Sequence, residues 1–184
     1  MPELILASRS PQRSAILEQL GIRFAVIEPD VEELEEGRPE AVAAENACRK
    51  AAAVEGDLVL GVDTVVSLDG RIYGKPVDPR QARATLRDLS GRTHEVIGGL
   101  CLVEPERTVT ATATTRVRFR ELDEPLLEWY VASGEWQGRA GGYAIQGRGA
   151  ALVEAIEGDY LNVVGLPVAT LLELAPWLLT DLLR

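Results

Sequence analysis

The stretch LVLGVDTVVSL at residues 58–68 is an apolar run that reads as a buried strand, with a single carboxylate, Asp63, inside it. It constrains the fold most, because such a strand must be covered by other elements. An Ala-rich, helix-prone stretch precedes it at residues 40–54. Asp69-Gly70 after it has the composition of a hairpin turn into RIYGKP. Nearer the start, LILA at 4–7 reads as a short strand. Ser10 suits the N-cap of the next helix and Pro11 its first position, Ile16, Leu17 and Leu20 share one face, and Gly21 ends it. Further on, residues 79–89 and 123–134 read as helices, and residues 93–103 and 108–120 as strands separated by the turn-like EPER. The second of these strands alternates as a half-exposed one does. Residues 138–149 are Gly-rich and irregular, and residues 151–160 form another strand or hairpin arm. Residues 168–183 form a closing helical segment bent or broken at Pro176. The expected class is α/β with an elongated mixed sheet flanked by helices. The chain lacks the regular repeats of a barrel and the GxGxxG of a dinucleotide fold.

A length of 184 residues predicts one domain, 1–184, and 46% hydrophobic residues supply a core for it. No apolar run reaches a membrane span of about 18–20 residues, and Glu3 ahead of a very short apolar run does not make a secretory signal. Cys48 and Cys101 lie far apart without metal-ligand spacing and read as buried free thiols of a reducing cytoplasm. The single histidine, His94, argues against a histidine metal cluster or triad and reads as structural or exposed. The net charge of −10 argues against broad nucleic-acid binding. It leaves room for a small polyphosphate in a local cationic pocket, and for carboxylates that hold a metal.

Such a pocket has candidates. In LASRSPQRSAIL, residues 6–17, hydroxyls, basic side chains and free backbone N–H groups crowd into a strand-to-helix turn, a ready place for phosphate. The plainer reading is a capped helix with solvated arginines. Asp63 is costly inside an apolar strand unless paired or metal-bound; the plainer reading bonds it to Thr64 or a loop amide. Lys75 in YGKP is held between Gly74 and Pro76, where it can donate to a phosphate oxygen, although alone it reads as a surface lysine. Lys50 on the Ala-rich helix reads alone as a solvent-facing charge. Glu32 and Glu33 stand in an acidic run, residues 30–36, from which spacing selects no metal ligand to join Asp63 on Mg²⁺. Tyr143 and Gln146 lie among glycines in GGYAIQG, where a flat ligand can approach the backbone. No Walker A, HExxH, CxxC or GxSxG motif is present.

Taken in order, LASRSPQRSAILEQLGIRF, GVDTVV, GKPVD, LSGRTHEV, YVASGE, GGYAIQG and VVGLP make the chain resemble the Maf family, the septum-formation-inhibitor-like nucleoside triphosphate pyrophosphatases, nearly end to end. The resemblance implies two lobes around a cleft, similar to the inosine-triphosphate pyrophosphatases. It also implies hydrolysis of a nucleoside triphosphate to monophosphate and pyrophosphate with a divalent metal, Mg²⁺ or Mn²⁺. On this sequence it implies that Ser8 and Arg13 bind phosphates, that Asp63 and Glu33 serve the metal and the attacking water, that Lys50 and Lys75 neutralise phosphate charge, and that Gln146 sits in the nucleotide site. Asp63, Glu33 and Lys75 are the expected catalytic group. Gln12 stands where the family pattern commonly has a second arginine; it donates a hydrogen bond but carries no charge, and Arg9 is the neighbouring cation that can substitute. DTVV with AIQG resembles the branch that acts on dTTP and UTP, modified pyrimidines included. Two other readings stand beside it: a non-catalytic nucleotide-binding regulator of septum formation, and a pyrophosphatase that prefers modified purine nucleotides. The resemblance also implies a homodimer. Trp129, Tyr130 and Trp136 are interface candidates, or else core aromatics.

Overall fold

A computed structural model of the chain describes residues 3–180. The strands are β1 (Leu4–Ala7), β2 (Phe24–Ile27), β3 (Val59–Leu68), β4 (Arg71–Tyr73), β5 (Thr93–Glu104), β6 (Arg107–Phe119) and β7 (Val153–Glu157). The helices are α1 (Pro11–Gln19), α2 (Pro39–Ala52), α3 (Pro79–Leu89), α4 (Glu124–Ala132), α5 (Tyr160–Val164), α6 (Val168–Leu174) and α7 (Trp177–Thr180). One mixed sheet runs in the order β2-β1-β3-β5-β6-β7, with β4 added on β3. The α/β class with a mixed sheet flanked by helices is thus the one expected.

Local chemistry explains most boundaries. α1, α2, α3 and α4 each carry proline in the first turn, where a missing N–H costs nothing. Asp78 and Asp123 cap α3 and α4 by accepting from the amides of Gln81 and Leu126. At the β3–β4 hairpin Asp69 and Gly70 take φ of +52° and +79°, the left-handed pair of a tight turn. Pro176 does break the closing helical segment, between α6 and α7; residues 181–183 of that expectation lie outside the described residues.

β3 is the spine. Its residues 59–67 pair antiparallel with β5 along one edge. On the other edge β1 pairs parallel with it as far as Ala7 opposite Gly61, and β4 begins only at Tyr73 opposite Val66. Residues 62–65 of that edge have no strand partner among the described residues, and Asp63 and Thr64 lie in this gap. Because β1 is parallel and β4 antiparallel to β3, both strands run toward the gap. The residues that follow each, from Ser8 and from Gly74, are therefore delivered to it.

The core divides at the same place. One apolar cluster joins Leu4, Leu6, Leu17, Leu60, Val62, Leu100 and Leu171. Another joins Val66, Leu86, Val96, Phe119, Leu127, Tyr130 and Trp136. α2 lies across the middle, on the face of β3 that carries Gly61, Asp63 and Val65. A Cβ on Gly61 would stand 2.0 Å from the Ala47 carbonyl oxygen, so the helix approaches as closely as a bare backbone allows. Tyr130 and Trp136 are core residues, whereas Trp129 is exposed, with Arg148 over its ring at 5.7 Å. No helix of the described residues is long and apolar enough to cross a membrane.

Candidate active site

A cavity of about 1120 Å³ opens over the gap in β3. Its lining includes Ser8, Arg9, Gln12, Arg13, Glu33, Lys50, Asp63, Thr64, Lys75, Tyr143 and Gln146. The residues that the sequence offered as catalytic, metal-holding or substrate-binding candidates are among them.

On the β1 side the wall is a closed hydrogen-bond network. Ser8 is buried, and its Oγ accepts from the Ser10 amide at 3.1 Å and from Arg13 Nη1 at 2.8 Å. Both lone pairs are then engaged and the hydroxyl hydrogen is left as a donor. Arg13, also buried, donates Nε to the Gly165 carbonyl at 2.9 Å and Nη2 to Thr64 Oγ1 at 3.2 Å. Burial lowers its pKa, and the negative charges of Asp63 and Glu33 oppose that shift. Ser10 takes the N-cap position of α1 but makes no side-chain cap. Its hydroxyl instead donates to Gln12 Oε1 at 3.2 Å, which leaves the Gln12 amide nitrogen as a free donor. With no cap acceptor, the first-turn amides of Gln12 and Arg13 stay open toward the cavity. Arg9 is more peripheral: exposed, 3.7 Å from Glu28 and donating to the Pro29 carbonyl at 3.4 Å.

At the centre Asp63 is only 5% exposed, and Lys50, on α2, is 6% exposed. Lys50 Nζ reaches Asp63 Oδ1 at 2.6 Å and Glu33 Oε1 at 3.0 Å. Asn46, one helical turn before Lys50, donates to Asp63 Oδ2 at 3.1 Å. The same side chain accepts from the Leu34 amide at 2.7 Å and donates to the Leu34 carbonyl at 3.0 Å. α2 thereby fixes both oxygens of Asp63 and clamps the acidic loop so that Glu33 faces the same ammonium. A buried ion pair of this kind is held only with supporting hydrogen bonds, and here Asn46 supplies one to the second Asp63 oxygen.

The opposite wall is different. Lys75 and Gln146 are exposed, and neither has a side-chain partner among the described residues. Tyr143 is buried behind them, and its hydroxyl meets His94 Nε2 at 2.8 Å. His94 and Tyr143 each pack edge-on to Phe119, with ring centroids 4.8 Å apart. Burial holds the His94 pKa down at about 4 and pushes the Tyr143 phenol up.

Among the described residues no group of three or more His, Cys, Asp or Glu stands together as a metal cage. Asp63 and Glu33 are two carboxylates that converge on one cation, and Glu33 Oε2 has no protein donor. That set fits Mg²⁺, which commonly takes one or two carboxylates and completes its shell with water and substrate phosphate oxygens.

The chain matches the family model described as Maf-like protein over residues 3–176. It belongs to the Maf-like family. Relatives named dTTP/UTP pyrophosphatase include those of Thermus thermophilus, 51% identical over 91% of this chain and 90% of the relative, and of Pyrococcus furiosus, 44% identical over 95% and 94%. A third, from Symbiobacterium thermophilum, is 46% identical over 91% and 90%.

Within this Maf-like site, two placements depart from the plainer sequence readings. Lys50 is not a solvent-facing charge. Asp63 bonds Lys50 and Asn46, not Thr64. His94 is wholly buried, the structural of its two readings. Sequence reasoning missed Asn46, Thr64 as the partner of Arg13, and the Gly165 carbonyl. Asn46 carried a signal, a polar residue on an Ala-rich helix four positions before Lys50 and so on its face. The Gly165 carbonyl carried none, since a backbone acceptor has no residue type to betray it.

Proposed function

We propose that the chain hydrolyses dTTP and UTP to the monophosphate and pyrophosphate, a reading supported by its relatives named dTTP/UTP pyrophosphatase. The observation that carries the reading is Asp63, buried at the unpaired stretch of β3 with both oxygens fixed and with phosphate donors facing it across one cavity.

In this reading the triphosphate lies along the gap. The Ser8 hydroxyl, the Gln12 side-chain amide and the open amides of α1 donate to phosphate oxygens, and the helix N-terminus adds its positive field. Arg13, held by Ser8, Thr64 and Gly165, supplies fixed positive charge beside them. Arg9 adds charge at the rim. Asp63 orients a water and takes its proton as the water oxygen bonds to the α-phosphorus. The bond from the α-phosphorus to the bridging oxygen breaks, and its electron pair leaves with pyrophosphate. Lys50 keeps Asp63 aimed and balances its charge. Lys75 neutralises charge on the phosphates of the bound triphosphate, and Gln146 contacts the nucleoside. Asp63 and Glu33 would hold Mg²⁺ or Mn²⁺, which supplies Lewis-acid polarisation of the phosphate and charge neutralisation. The homodimer and a reducing cytoplasm belong to the same reading; Cys48 and Cys101 are free thiols, in keeping with the latter.

The test is purified protein with Mg²⁺ and a panel of nucleoside triphosphates, with products separated by chromatography. Monophosphate plus pyrophosphate, chiefly from dTTP and UTP, is expected. Diphosphate plus orthophosphate would place the attack at another phosphorus, and purine preference would move the protein to another branch. Asp63→Asn should cut kcat by about 10²–10⁴-fold with the fold retained.

A further inference from the structure

Arg139 is a cation of the cleft with no assigned role. It lines the same cavity, on a turn with Gln137, Gly138 and Ala140, and it is half-buried. The turn is sewn to the one that carries Lys75. The Gly141 amide donates to the Gly74 carbonyl at 3.1 Å, and a Cβ on Gly142 would meet Pro76 Cγ at 3.0 Å. Gly141, at φ +68°, leaves no room either, since a Cβ there would stand 2.8 Å from Val66 Cγ1. Arg139 and Lys75 therefore line one cavity from two turns that are bonded and closely packed against each other.

Apart from Lys75, the other basic residues that line the cleft are engaged. Arg13 has three acceptors, Lys50 two carboxylates, and Arg9 a glutamate and a carbonyl. Among the described residues the Arg139 guanidinium has neither a carboxylate nor a hydrogen-bond acceptor; its charge only slightly opposes the burial that raises the Tyr130 phenol's pKa. A half-buried guanidinium without a partner is a site for an anion that the protein does not itself supply.

We infer that Arg139 binds the pyrophosphate end of the substrate, with its planar fork on two oxygens of the β- and γ-phosphates next to Lys75. This rests on the pyrophosphatase reading. If the α-phosphorus lies at Asp63, the charge that leaves it needs cations free to receive it, and Arg139 and Lys75 are the two that have no other work. The guanidinium geometry matches paired phosphate oxygens, where an ammonium offers only a point charge.

The test measures inorganic pyrophosphate binding by calorimetry in the presence of Mg²⁺, and its inhibition of dTTP hydrolysis, for the wild type, Arg139→Ala and Arg139→Lys. Arg139→Ala should weaken pyrophosphate at least tenfold and change thymidine monophosphate binding less than twofold, with an unchanged circular dichroism spectrum. Arg139→Lys should recover part of the loss. Unchanged pyrophosphate affinity in folded Arg139→Ala overturns the inference, as does a loss confined to the monophosphate, which would place Arg139 on the nucleoside. If Arg139→Ala does not fold, Arg139→Gln is read against the same two ligands. Failure of the wild type to turn over dTTP would sink the pyrophosphatase reading instead, while the calorimetric comparison still decides whether Arg139 holds pyrophosphate.

Discussion

The two walls of the cleft are built on opposite plans. On the β1 side, Ser8, Arg13, Thr64, Asp63, Lys50 and Asn46 are tied to one another, and most are buried. Across the cavity, Lys75, Gln146 and Arg139 have open side chains on turns. A donor already fixed by its neighbours loses little freedom when substrate arrives, so it is suited to act on the transition state. A cation without a partner gains one only when the anion binds, so it is suited to capture. Under the proposed function, the difference suits the first wall to aiming and the second to capture.

That division can be broken from either side. The largest effect beyond Asp63 itself is expected in acid. His94 is kept neutral in the fold with a pKa of about 4, whereas an unfolded histidine takes up a proton near pH 6.5. The folded state is therefore favoured fully above pH 6.5 and loses stability as pH falls toward 4, by on the order of 3 kcal/mol. Thermal melts across this range should show the slope, and His94→Gln should flatten it. Next, Asn46→Ala should cost about 1–3 kcal/mol, because it strips donors or acceptors from Asp63 and Leu34. It should also lower kcat more than it raises KM; a pure KM effect would contradict the aiming role. Lys75→Ala should do the reverse, raising KM about tenfold and leaving the melting temperature within a degree or so, as loss of one charge-assisted contact predicts. Gln12→Arg is the smallest change. It adds a cation beside the open amides and should lower KM about threefold, the scale of a helix-terminus charge.

Much of this was legible along the chain because its signals are local. Proline, aspartate and glycine at the ends of residues 79–89 mark α3, and Asp69-Gly70 marks the hairpin, since those residue types act within a turn of themselves. The apolar run at 58–68 names the central strand for the same reason. What could not be read is register. That β1 stops opposite Gly61 and β4 starts opposite Val66 depends on pairing between distant segments, and the gap that holds Asp63 exists only in that pairing. Likewise spacing selects no single carboxylate from the acidic run, yet the Asn46 clamp on Leu34 selects Glu33. Lys50 looked like a surface charge because its only signal, the apolar company of an Ala-rich helix, is shared by lysines that point outward.

The bond from Arg13 to the Gly165 carbonyl joins residues separated by 152 positions. Its consequence lies in biosynthesis. In a chain still emerging from the ribosome, β1, α2 and Asp63 are all made before the segment around Gly165. Its buried arginine gains the acceptor for its Nε only once the segment around Gly165 has emerged.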